Sequence, residues 1–153
     1  MGWNMLRNMF LVSLASLLLL APAQAQSTRR VLENFTFFGK WSPHCDQPAG
    51  PANSLRNVYV ARGGEVQFTE SLGAGYKDNL YRVLDAKRIA PDKVVLRIEL
   101  NGTITQDLTM VKEGGRIRTV ANQRTDGQFV VKDGIVLANG NATPWVSRCA
   151  KAR

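Results

Sequence analysis

The sequence predicts an all-β protein: an antiparallel up-and-down meander of about eight to ten strands, closed into a small barrel whose ends one disulfide joins. Three observations lead there. Short runs alternate apolar and polar residues with period two. Glycines punctuate these runs at positions suited to tight hairpins. The only two cysteines each follow a tryptophan by four residues, in WSPHC (41–45) and WVSRC (145–149), near opposite ends of the chain.

Residues 1–25 read as a secretory signal peptide. Arg7 supplies a positive n-region, FLVSLASLLLLAPA an apolar core, and Ala23-Gln24-Ala25 a small-x-small cleavage site. The apolar run is shorter than the roughly 20 residues a membrane-spanning helix needs. Residues 26–153 then form a single domain, with no transmembrane segment after cleavage and a periplasmic or secreted location. Residues 26–32 are expected to be a loose arm or one short turn.

Strands are expected at 35–41, 57–61, 65–71, 79–89, 93–99, 103–111, 116–124, 128–132, 135–139 and 144–149. KVVLRIEL shows the pattern at its cleanest, with Val94, Leu96 and Ile98 on one face. The three prolines of SPHCDQPAGPANS (42–54) make that segment a surface loop, and the glycines of SLGAGYKD (71–78) make a second.

Hairpin parity constrains the turns, because a slip of one residue inverts every side chain. Three-residue loops ending in glycine keep apolar residues on one face at four places: Arg62-Gly63-Gly64, Leu100-Asn101-Gly102, Thr125-Asp126-Gly127 and Lys132-Asp133-Gly134. They pair Val60 with Val66, Ile98 with Ile104, Gln123 with Phe129, and Val131 with Ile135. Met110 and Ile117 share a face only across an even loop, so four residues or a bulge are expected around Gly114-Gly115.

A meander leaves two free sheet edges, and closure removes them. Closure brings the first and last strands together, and with them Cys45 and Cys149. In an exported domain the pair most simply forms one intramolecular disulfide; two free thiols or an intermolecular bridge are the alternatives. The expected seam consists of that bond with Trp41 and Trp145 as aromatic plugs.

Phe37-Phe38-Gly39-Lys40-Trp41 resembles the G-x-W signature on the first strand of the calycin superfamily, which includes lipocalins, fatty-acid-binding proteins, avidins and small bacterial protease inhibitors. The resemblance implies a closed barrel whose Trp41 seals the floor beneath an Arg from a late strand, with Arg148 as candidate and Arg124 as another. It also implies a lipocalin-like binder of small hydrophobic molecules. The C-terminal tail shows no counterpart of the lipocalin outer helix, and 42–54 is too proline-rich for a helical lid.

No catalytic constellation emerges. His44 is the only histidine and adjoins Cys45, which excludes a triad if that cysteine is oxidised. The same residues cannot supply a tetrahedral metal set, so no cofactor, metal or enzymatic activity is implied. The net charge of +8 is spread over scattered Lys and Arg rather than clustered, which argues against nucleic acid as partner. Polar residues at inward parity are more informative: Arg82 between Leu80 and Leu84, Gln106 between Ile104 and Leu108, and Gln123 beside Ala121. In a cavity they would orient the polar head of a ligand while Phe68, Leu96 and Met110 line its apolar part. The expected function is a monomeric, non-enzymatic barrel that binds a small hydrophobic or amphipathic molecule. The alternatives are an inhibitor of an exported protease or cell-wall hydrolase acting through 42–54 and 71–78, and a basic module that binds anionic envelope polymer.

Overall fold

The computed structural model describes residues 20–150, with side chains from residue 27 onward. Among the described residues one helix, α1 (Leu20–Asn34), precedes ten strands: β1 (Gly39–Ser42), β2 (Leu55–Val60), β3 (Val66–Ser71), β4 (Asn79–Ala90), β5 (Lys93–Leu100), β6 (Ile104–Glu113), β7 (Arg116–Arg124), β8 (Phe129–Lys132), β9 (Ile135–Val136) and β10 (Val146–Arg148). All pairings are antiparallel, each strand with the next, and β10 pairs with both β1 and β7. That double pairing closes β1–β7 and β10 into an eight-stranded barrel. The β8–β9 hairpin leaves the wall at the far end of β7, where Asn122 pairs with Val131.

The expected closure is present. Trp41 lies opposite Arg148 across the β1–β10 seam, and Cys45 is bonded to Cys149 with their Cα atoms 5.3 Å apart. Tying positions 104 residues apart removes about 4–5 kcal/mol of unfolded-chain entropy.

Two of the four three-residue turns hold as expected. Val60 pairs with Val66 and Gln123 with Phe129. In the first, the amide of Gly64 donates to Ala61 at 2.9 Å from a backbone with φ of +87°, which glycine adopts without steric cost. The other two differ. Asn101 and Asp133 themselves take positive φ alongside the glycines that follow them, as Asn-Gly and Asp-Gly do in primed turns. The β5–β6 register therefore moves by two, pairing Ile98 with Gln106 and Leu100 with Ile104, so the faces survive. The β8–β9 loop shrinks to Asp133-Gly134, so Val131 pairs with Val136 rather than Ile135. The β6–β7 turn is even, as parity requires, but has two residues instead of four, Gly114-Gly115 between paired Glu113 and Arg116.

The helix is the main departure from the loose arm expected at 26–32. The expected signal peptide, 1–25, falls mostly outside the described residues, but α1 begins within its span and runs on to Asn34. It ends in a Schellman motif: the Thr36 amide donates to Glu33 and the Phe37 amide to Leu32, each at 2.9 Å, with Thr36 at φ +58°. The hydrophobic contact that accompanies such caps is here part of the barrel core, since Leu32 and Phe37 are both fully buried. Lys112 of β6 donates to the Phe35 carbonyl and the Thr36 hydroxyl, placing a cation where the helix exposes its unpaired carbonyls. The turn consumes 35–38, so β1 starts at Gly39 and not at residue 35.

Leu32, Phe35, Phe37 and Trp41 thus plug the end of the barrel that carries the β2–β3, β4–β5 and β6–β7 turns. The Trp41 indole donates to the Phe37 carbonyl at 2.7 Å, which satisfies its one polar group in a site that is 1 % exposed. The other end stays open.

Candidate functional site

The open end holds a cavity of about 270 Å³. Phe68, Ile98, Leu108, Met110, Val131 and Val146 form its apolar wall, and Arg56, Glu70, Tyr81, Arg118, Asn122 and Thr143 supply polar groups.

Register builds one side of it. Arg56 of β2 lies opposite Glu70 of β3, and Phe68 of β3 opposite Tyr81 of β4. Directly opposed side chains on one face sit within touching distance. The Arg56 guanidinium is 3.2 Å from the Glu70 carboxylate and lies over the Phe68 ring, 5.2 Å from its centroid. Phe68 stacks on Tyr81 with centroids 4.4 Å apart. The Tyr81 hydroxyl donates to the second Glu70 oxygen at 3.2 Å. Burial, followed by the neighbouring Glu70 charge, pushes the Tyr81 phenol well above its ordinary range. It remains a neutral hydrogen-bond donor at physiological pH.

The opposite side depends on an irregularity. The pairs Met110–Thr119 and Thr109–Ala121 leave Val120 as an extra residue, so β7 changes parity there. Before the bulge Ile117 and Thr119 face the interior; after it Asn122 does. The Asn122 side-chain amide donates to Gln106 at 2.9 Å, whereas its own oxygen is buried without a partner. Arg118 donates to the Gly134 carbonyl at 3.2 Å and lies 5.5 Å from the Trp145 ring, and its Nε too is buried and unpartnered, as is that of Arg56. Buried donors and acceptors without partners cost about 1–3 kcal/mol each, and two of them, Asn122 Oδ1 and Arg56 Nε, belong to inward-facing residues that line this cavity.

The sequence-predicted residues divide. Phe68 and Met110 line the cavity. Gln106 is buried in the wall behind it, bonded to Asn122. Leu96 is fully buried in the core but is not part of the lining. Arg82 is a correction: it faces outward and pairs with Glu99 at 3.0 Å, because the interior face of β4 is Tyr81, Val83 and Ala86, leaving Leu80 and Leu84 exposed. Gln123 is a second correction, turned outward by the Val120 bulge, where it pairs with Asp107 and bonds the Gly127 carbonyl.

At the seam, Gly39 has φ +114° and a Cβ there would stand 3.1 Å from Arg148 Nε, so the glycine makes room for the guanidinium. Arg124 instead pairs with Asp126 in its own hairpin. Trp145 does not plug the barrel; it is half-buried beside the guanidinium groups of Arg116 and Arg118.

Sequence reasoning missed Arg56, Glu70, Tyr81 and Asn122. For the first two the signal existed: stepping back two residues from Val58 gives Arg56, and stepping on two from Phe68 gives Glu70. The loop 42–54, beside the seam, is organised by buried Asn53, whose amide accepts from Ser42 Oγ and His44 N and donates to the carbonyls of His44, Gln47 and Pro48. No family model, curated protein or solved structure matches this chain.

Proposed function

We propose that this protein is a lipocalin-like exported barrel that holds a small amphipathic molecule in its open end. The observation that carries the reading is the cavity of about 270 Å³ whose apolar lining is interrupted by buried polar atoms without partners. Its volume lies just below the roughly 300–1,000 Å³ of typical small-molecule pockets, so it suits a compact ligand. Gly39, Trp41 and Arg148 at the seam and the closed eight-stranded wall support the calycin resemblance. Native mass spectrometry of the protein purified from its own host tests this. The expected spectrum carries a small-molecule adduct that disappears on denaturation and is absent from Val136→Trp, which fills the cavity from its hairpin side. A protein that is free of adduct and gains none when medium-chain amphiphiles are added would overturn the reading.

A second reading draws support from the loop 42–54. His44, Cys45, Asp46, Gln47 and Pro48 are exposed, yet the disulfide and the Asn53 hub fix the segment from both sides. A pre-ordered exposed loop is what a protein inhibitor offers, since little entropy is lost on binding. Inhibition of an exported protease or cell-wall hydrolase that weakens at least tenfold in Asn53→Ala would favour it; equal inhibition by the variant would exclude this loop.

A further inference from the structure

Resting on the reading of the open end as a ligand chamber, we infer that the chamber selects an uncharged head group that both donates and accepts hydrogen bonds, and that the Arg56–Glu70 pair sets this selectivity. The charges of the lining point there. Its charged residues are Arg56, Glu70 and Arg118. Arg118 sits between inward-facing Ile117 and Thr119, and its guanidinium lies on the outer face of β7 against Trp145, so its charge belongs to the outside of the wall. The other two face each other across β2 and β3, 3.2 Å apart, with side chains only 16 % and 17 % exposed. The chamber therefore holds one charge of each sign, already paired.

A charged ligand gains little there. It must give up its water, and whichever partner attracts it, the other repels it from a similar distance. Both partners are also held in place. Glu70 accepts from Arg56 with one oxygen and from Tyr81 with the other, and Arg56 lies over the Phe68 ring. The bonding left over is likewise mixed. On the inward-facing lining residues, the buried atoms without partners are one donor, Arg56 Nε, and one acceptor, Asn122 Oδ1. A carboxylate can serve only the first and an ammonium only the second, whereas a primary amide or a hydroxyl can serve either. The apolar wall of Ile98, Leu108, Met110 and Val146 takes the hydrocarbon portion.

Isothermal titration calorimetry of the disulfide-bonded protein at neutral pH and low salt, with octanamide, octanoate and octylamine as probes, tests the inference. Octanamide is expected to bind more tightly than either ion, by about tenfold or more. Glu70→Gln leaves the Arg56 charge without a partner, and octanoate should then gain about tenfold while octylamine gains nothing. The double variant Arg56→Gln with Glu70→Gln restores neutrality by another route and should again prefer octanamide; it replaces the single variant if that one does not fold. Octanoate or octylamine binding the wild type as tightly as octanamide would overturn the neutral head group while leaving the chamber intact. A folded Glu70→Gln in which octanoate gains nothing would overturn the assignment to the pair, as would a double variant that prefers either ion. Binding of none of the three probes would overturn both the inference and the chamber beneath it.

Discussion

The two ends of this barrel are built from the same wall and finished in opposite ways. At the floor, Leu32, Phe35, Phe37 and Trp41 fill the space, and the polar groups they bring, the Trp41 indole and the carbonyls at the end of α1, find partners. At the mouth, Arg56, Glu70, Tyr81, Gln106 and Asn122 face inward, and two of their atoms, Arg56 Nε and Asn122 Oδ1, remain unpaired. A close-packed apolar plug contributes stability and excludes ligand. A polar, incompletely bonded mouth gives up stability and leaves something for a ligand to satisfy. The comparison teaches that residues that look anomalous in a β-strand need not weaken a barrel, provided that the opposite end is sealed.

Substitutions can break or sharpen that contrast. The largest effect is expected at the seam that serves both ends. Cys149→Ser should lower unfolding stability by about 4–5 kcal/mol, the entropy of the released loop, and leave Cys45 reactive with Ellman's reagent; two free thiols in the wild type would contradict the bond. Next comes the floor. Phe37→Ala should cost about 3–5 kcal/mol in urea denaturation while leaving the affinity for a medium-chain amphiphile within about threefold in the folded fraction. A large loss of affinity there would show that the two ends are coupled.

The loop hub ranks third. Asn53→Ala strands several backbone groups and should cost about 1–3 kcal/mol. The mouth ranks below it: Tyr81→Phe removes one hydrogen bond to Glu70, for about 0.5–1.5 kcal/mol. The same tyrosine gives a pH signature. Its phenol titrates above its unfolded value, so the folded chain keeps a proton that the unfolded chain releases above about pH 10, and stability should fall as pH rises past that point. Glu70→Gln removes a cause of the upward shift and leaves Arg56 uncompensated, so tyrosinate absorbance should appear at lower pH in the variant. An unchanged titration would mean that burial alone holds the phenol neutral.

The smallest effect belongs to the outer wall, midway between the ends. Arg97 and Asp107 form a two-fold hydrogen-bonded pair at 2.9 Å on an exposed face. The hydrogen bond from Arg97 holds the Asp107 carboxyl below its ordinary range. Its contribution is therefore present above the unfolded carboxylate pKa of about 4 and lost as pH falls through the lower folded value. Asp107→Asn should change the urea midpoint only slightly at neutral pH and not at all in strong acid; a difference that persists in acid would assign the effect to packing.

Legibility followed the range of the forces involved. Val94, Leu96 and Ile98 are legible as interior because the other face of β5 carries Arg97 and Glu99 beside Val95. On β4, Leu80, Leu84 and Ile89 compete with Tyr81, Val83 and Ala86, and nothing local chooses between the two sets. The choice is made by Val66 and Ile98 on the flanking strands, both of which pair with Val83. Gln123 and Asn122 exchange faces because of one bulge that no residue type announces. The Schellman cap at Thr36 is equally silent, since threonine is a poor candidate for φ +58° until the burial of Leu32 and Phe37 requires it.

By itself the sequence determined the antiparallel meander, two of its hairpin registers and the meeting of Cys45 with Cys149, because period-two patterning, glycine turns and sheet closure are local or topological consequences of residue order. Only the tertiary structure decided which face of β4 turns inward, that α1 seals one end, and that Arg56, Glu70, Tyr81 and Asn122 converge at the other. Those outcomes rest on contacts between residues far apart in the chain, whose energies exceed the local preferences of the segments that make them.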